Sequence, residues 1–89
     1  MANIKSQIKR NKQNEKRRLR NRIVRGSTRS AIRDARAALA DGEATASREA
    51  VMEAISRLDK AAEKGVLHKN NAARRKSRLM KRLAALEDA

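Results

Sequence analysis

Residues 65–83 read GVLHKNNAARRKSRLMKRL, and seven of the nineteen are Lys or Arg. Gly65 opens the stretch where a helix pattern ends, and glycine enters the left-handed conformation of a helix C-cap at no steric cost. Val66 then stands where a Schellman cap places its apolar contact. From there Ala72, Leu79 and Leu83, with Leu86 beyond, share one face at about 100° per residue. Arg74, Arg78 and Lys81 fall on the opposite face. This is a two-faced helix, with one stripe for a core and one for an anion.

The same reading extends toward the N-terminus. Val51, Ile55, Leu58 and Ala62, with Met52 beside them, step by helical intervals, and Asp41-Gly42 marks an earlier joint. Before it, Ile32, Ala35 and Leu39 form a stripe that Val24 and Thr28 extend. No β-branched alternation argues for strands. Two short connections between three helices predict an all-α, antiparallel three-helix bundle. Helix one is much the longest, about 57 Å at 1.5 Å per residue, and must overhang. The chain reads as one domain, 1–89, in which 1–22 form a basic arm and 23–89 the bundle. In the arm Ile4, Ile8, Leu19 and Ile23 roughly align, but Asn11 and Glu15 interrupt them. A helix charged nearly all round is not held by burial, so residues 1–20 are expected to fray without a partner. Gly26 lies inside this helix and marks either a tolerated weak point or bend, or a place where a phosphate comes close.

Bulk composition names the partner class. The 89 residues carry 24 Lys and Arg against 10 Asp and Glu, a net charge of +14. Residues 1–40 hold +11 of it, 66–89 hold +5, and 41–65 are net −2. Like charge opposes compaction, so an anionic partner is the economical explanation, with segments one and three facing it and segment two as a brace. Ile, Leu and Val number fifteen, there is no Phe, Tyr or Trp, and seventeen residues are Ala. Such a core is small, and binding must add to its stability by mass action. No cysteine means no disulfide and no thiolate site. No apolar run approaches a membrane span, and MANIKSQIKR lacks the apolar block of a signal peptide, which makes the cytoplasm the default.

Catalysis is not expected. The single His has no Cys partner, and no Gly-rich phosphate loop, metal-ligand spacing or cofactor motif occurs. The carboxylates of segment two lie among Arg and Lys as solvated helix faces do. Nucleic acid remains. Lys and Arg bind phosphate without reading sequence, and no aromatic platform exists for unstacked bases. That combination favours folded double-helical or junction RNA, recognised by shape and phosphate. At the start of helix three, His68, Asn70 and Asn71 admit two readings. An Asn caps the helix, or the free N–H groups with His68 and Lys69 hold a phosphate.

Two stretches, MANIKSQIKRNKQNEKRRLRNR at the start and LDKAAEKGVLHKNNAARRKSRLMKRLAAL near the end, resemble the bacterial small-subunit ribosomal protein S-twenty family, also found in plastids. They cover more than half of the chain, whereas residues 40–50 carry no such string. The resemblance implies a three-helix bundle with a long first helix that binds 16S ribosomal RNA and helps fold it near the bottom of the subunit body. It implies RNA contacts by Lys5, Lys9, Arg10, Lys16, Arg17, Arg18, Arg20 and Arg22, and by His68, Lys69, Asn70, Arg74, Arg75, Lys76 and Arg78. Lys12 and Arg25, on the same basic segment, are added to the set. The expected partners are 16S ribosomal RNA and other small-subunit components, with no membrane, small-molecule substrate or self-association. From composition alone a nucleoid-type DNA binder is the alternative. A membrane-surface peptide needs bulky anchors that the basic region lacks.

Overall fold

The computed structural model describes residues 2–88 and contains three helices: α1 (Ala2–Asp41), α2 (Ala44–Glu63) and α3 (Lys69–Asp88). Among the described residues there is no strand. The molecule measures 68 × 20 × 13 Å, so α1 sets its length.

Both joints are made by glycine at positive φ, Gly42 at 82° and Gly65 at 75°. At the first, the Gly42 N–H donates to the Ala38 carbonyl at 3.1 Å. Glu43 follows in an extended conformation and caps α2, its carboxylate accepting from the N–H groups of Thr45 and Ala46. At the second, Val66 N–H donates to the Ala61 carbonyl at 2.9 Å and Gly65 N–H to that of Ala62 at 3.1 Å. These are the paired bonds of a Schellman cap, and Val66 is half-buried behind it.

The core lies between residues 28 and 83. α1 supplies Ala31, Ile32, Ala35 and Leu39, α2 supplies Val51, Ala54, Leu58 and Ala61, and α3 supplies Ala72, Leu79 and Leu83. Helix α2 packs on both neighbours, while α1 and α3 meet much less. Two hydroxyls are buried with the core. Ser47 donates to the Ala38 carbonyl at 2.9 Å across the α1–α2 contact, and Thr28 donates to the Val24 carbonyl at 2.8 Å within α1. Neither is left unpaired, so neither carries the desolvation penalty of a lone buried hydroxyl.

The α2 stripe is rotated slightly from the sequence-based expectation. Its centre line is Ser47, Val51, Ala54, Leu58 and Ala61. Ile55 and Ala62 lie on its flank, as Leu86 does in α3, and Met52 is exposed. Three of the five residues on this line, Ser47, Ala54 and Ala61, are small.

Helix α1 runs through Gly26 without a break, and a Cβ there would meet nothing within 4 Å. Residues 4–20 are all exposed, so this part of α1 stands clear of the bundle. It is helical as far as Ala2, where fraying was expected, and only its own i→i−4 bonds hold it in that form. Residues 1 and 89, the ends of the predicted domain, lie outside the described residues.

Candidate nucleic-acid interface

The weak contact between α1 and α3 leaves a groove whose walls are arginine. Arg36 lines it from α1, and Arg74, Arg75, Arg78 and Arg82 line it from α3, over a floor of Ile32 and Leu79. Toward the α2–α3 joint, Arg25 and Arg29 of α1 continue the line and meet Arg75. The spacing explains the alignment. Arg18, Arg22, Arg25, Arg29 and Arg36 recur at intervals of three, four and seven, on the flank of α1 that faces α3. Arg74, Arg75, Arg78 and Arg82 recur in the same way on the flank of α3 that faces α1. All are exposed.

No carboxylate offsets this wall. Among the described residues the ion pairs are Arg33–Asp34, Arg48–Glu87, Arg57–Glu53 and Lys76–Asp59, and none uses an arginine of the groove. Acid is gathered on the other side of α1, where Asp34 faces Glu49 and Glu53 of α2. The bundle therefore presents one strongly cationic groove and one mixed face. Seven fixed guanidinium groups in one line repel one another and create a potential that attracts a polyanion. Each is a planar fork able to bridge two phosphate oxygens. The Asn71 side chain aims one of them, since Arg75 Nε donates to its Oδ1 at 2.8 Å and leaves both terminal nitrogens free.

The seventeen residues singled out from sequence fall into distinct places. Arg18, Arg22 and Arg25 extend the arginine line, which Arg74, Arg75 and Arg78 continue on α3. Lys5, Lys9, Lys12, Lys16 and Arg20 lie on the opposite flank of the projecting part of α1. Arg10 and Arg17 point along the core-facing direction, beyond the end of the bundle. Lys76 faces away from the groove, with its Nζ 2.8 Å from Asp59 Oδ1 on α2. That pair is solvent-exposed and contributes about 0–1 kcal/mol, so it restrains Lys76 only lightly.

His68, Lys69 and Asn70 are exposed at the joint from which the arm departs. The cap of α3 is His68, not an Asn. Its Nδ1 accepts the Asn70 N–H at 3.1 Å and its carbonyl accepts the Ala72 N–H at 3.1 Å. The helix begins at Lys69, so Asn70 and Asn71 already lie inside it.

Arg29, Arg36 and Arg82 belong to the groove but were not among the residues expected from sequence. The seven-residue intervals Arg22–Arg29–Arg36 and the four-residue step Arg78–Arg82 are visible in the chain. Which flank of α1 faces which flank of α3 is not.

Among the described residues no group of three His, Cys, Asp or Glu is placed to hold a metal ion, and no helix is long and apolar enough to cross a membrane. The family model for ribosomal protein S20 matches residues 2–84. The chain is 55% identical over 87 residues to small ribosomal subunit protein bS20 of Streptomyces griseus, covering 98% of this chain and 99% of that one. It is 52% identical over 85 residues to the protein of that name from Halalkalibacterium halodurans, at 96% and 93% coverage. With the one from Thermomicrobium roseum the identity is 51% over 89 residues, at 100% and 90% coverage.

Proposed function

The chain belongs to the ribosomal protein S20 family, and we propose that it binds 16S ribosomal RNA directly, through phosphate contacts, and stabilises the fold of that RNA as the small subunit assembles. It is a structural protein of the small ribosomal subunit and not an enzyme.

The observation that carries the proposal is the arginine-lined α1–α3 groove, free of carboxylates among the described residues. In the proposed mechanism residues 1–22 act as a cationic arm that lies between RNA helices. The groove, with His68, Lys69 and Asn70 at its end, clamps the RNA at the root of the arm. Neutralising phosphate lets RNA helices approach that otherwise repel one another, and the released counterions supply most of the affinity. Lys5, Lys9, Lys12 and Lys16 on one flank and Arg18, Arg22 and Arg25 on the other allow the arm to touch RNA on two sides at once. The protein acts as a monomer, in the cytoplasm, as part of the ribosome.

Binding to 16S ribosomal RNA and to duplex DNA at matched salt tests this reading. Seven groove contacts correspond to an affinity loss of roughly 10³–10⁵-fold between 50 and 200 mM salt. The RNA is expected to bind more tightly at every salt concentration. Equal affinity for the DNA would point instead to a nucleoid-type binder.

A further inference from the structure

Where the arginine groove reaches the α2–α3 joint it opens into a pocket of about 140 Å³. That is roughly tenfold the 10–15 Å³ that one water requires. The floor is aliphatic: Ile32 from α1, Leu58 and Ala61 from α2, and Val66 and Leu67 from the joint. Arg25 and Arg29 form one lip and Arg75 the other. Ile32 and Arg75 line both the pocket and the groove, so the two are continuous.

We propose that this pocket receives one unstacked nucleobase of the bound RNA, while Arg25, Arg29 and Arg75 hold the phosphates beside it. The inference rests on the RNA-binding reading above and goes beyond it by naming a base subsite. An apolar hollow ringed by cations is complementary to a ligand with a flat apolar body and anionic flanks. A nucleotide within an RNA strand is such a ligand. Folded RNA offers bases from loops and bulges in this way, and arginine planes stack on them. Burial of the base against aliphatic carbon replaces the aromatic platform that the chain lacks. The Arg75 Nε donates to Asn71 Oδ1 at 2.8 Å, which favours one orientation of the guanidinium group at the lip. The Thr28 hydroxyl, the one polar side-chain group on the floor, already donates to the Val24 carbonyl. With the three arginines engaged on phosphate and no other polar side chain on the floor, the pocket selects for an extruded base more than for its identity.

The composition supplies an unusually clean test. The chain has no Phe, Tyr or Trp and His68 is its single other ring, so an upfield ring-current shift of a methyl group that appears on adding RNA and persists in His68→Gln comes from a base. The full chain, labelled at Ile, Leu and Val methyls and at arginine Nε, is titrated with a mixed-sequence single-stranded oligoribonucleotide and, separately, with inorganic polyphosphate. The oligoribonucleotide is expected to move the methyls of Ile32, Val66 and Leu67 upfield and leave those of Val51 and Leu83 in place. Polyphosphate is expected to move the arginine signals alone. If the arginines respond to both titrants but the pocket methyls do not shift upfield with the oligoribonucleotide, the base subsite is wrong and the RNA reading stands. If neither class of signal responds to the oligoribonucleotide or to 16S ribosomal RNA, the RNA reading fails and takes the subsite with it.

Discussion

Helix α1 is two different helices joined end to end. From Val24 to Leu39 it presents Thr28, Ala31, Ile32, Ala35 and Leu39 to a core, with Val24, Ser27 and Ala38 half-buried beside them and the rest in solvent. From Ile4 to Arg20 every residue is exposed, and Ile4, Ile8 and Leu19 are more than half so. Backbone hydrogen bonding is the same in both halves. What differs is what holds it. The bundled half is fixed by burial and by α2, whereas the projecting half rests on weak intrinsic propensity and is opposed by its own charge. A single element is therefore held by tertiary packing at one end and only by its own backbone bonds at the other.

Hydrogen exchange gives the largest expected contrast. In the free protein, amides of residues 4–20 should exchange with little protection, while those near Ala35 and Leu58 should be protected by the full stability of the bundle. Added 16S ribosomal RNA should raise protection across 4–20, with a matching gain in helical circular dichroism. Equal protection of both halves in the free protein would erase the distinction. Next in size, Leu58→Ala opens a cavity at the centre of the core and should cost about 2–5 kcal/mol in urea unfolding. The loss of helix should be confined to the bundled half of α1, α2 and α3.

Replacing Arg74 and Arg78 together by Ala removes two exposed cations of the groove and no core contact. Unfolding midpoints should hold, and the slope of log affinity for RNA against log salt should fall by about two. Loss of folding in that variant would mean that these side chains face inward. The smallest effect is expected from Gly26→Ala, close to the boundary between the halves, where a Cβ meets open space. It should stabilise α1 by about 1 kcal/mol, read as a higher midpoint and more helical signal. A fall in RNA affinity in the same variant would show that a phosphate approaches the backbone at Gly26.

Much of this was legible in the chain. Gly42 and Gly65 mark the joints because each supplies the positive φ that a helix C-cap requires. Ala72, Leu79 and Leu83 were read correctly as one buried face because leucines at helical spacing stand out against arginine. Less visible were Ser47, Ala54 and Ala61, which form the centre of the α2 contact without any hydropathy signal. Small residues show their role only when the distance between backbones is known. His68 as the cap of α3 was hidden for a related reason, since either Asn beside it has the chemistry for that place.

Periodicity, glycine placement and segment charge suffice, without coordinates, to specify three helices, a small core and a cationic first helix that outruns it. These are local or additive properties of the chain. The arginine groove is of another kind. Arg29 and Arg36 join Arg75, Arg78 and Arg82 only because α2 takes most of the packing and leaves α1 and α3 apart, with their basic flanks turned toward each other. The pocket at its end likewise needs residues from all three helices and the joint. Which flank meets which is set by how the helices pack together, and helical spacing within one segment carries no information about its neighbour.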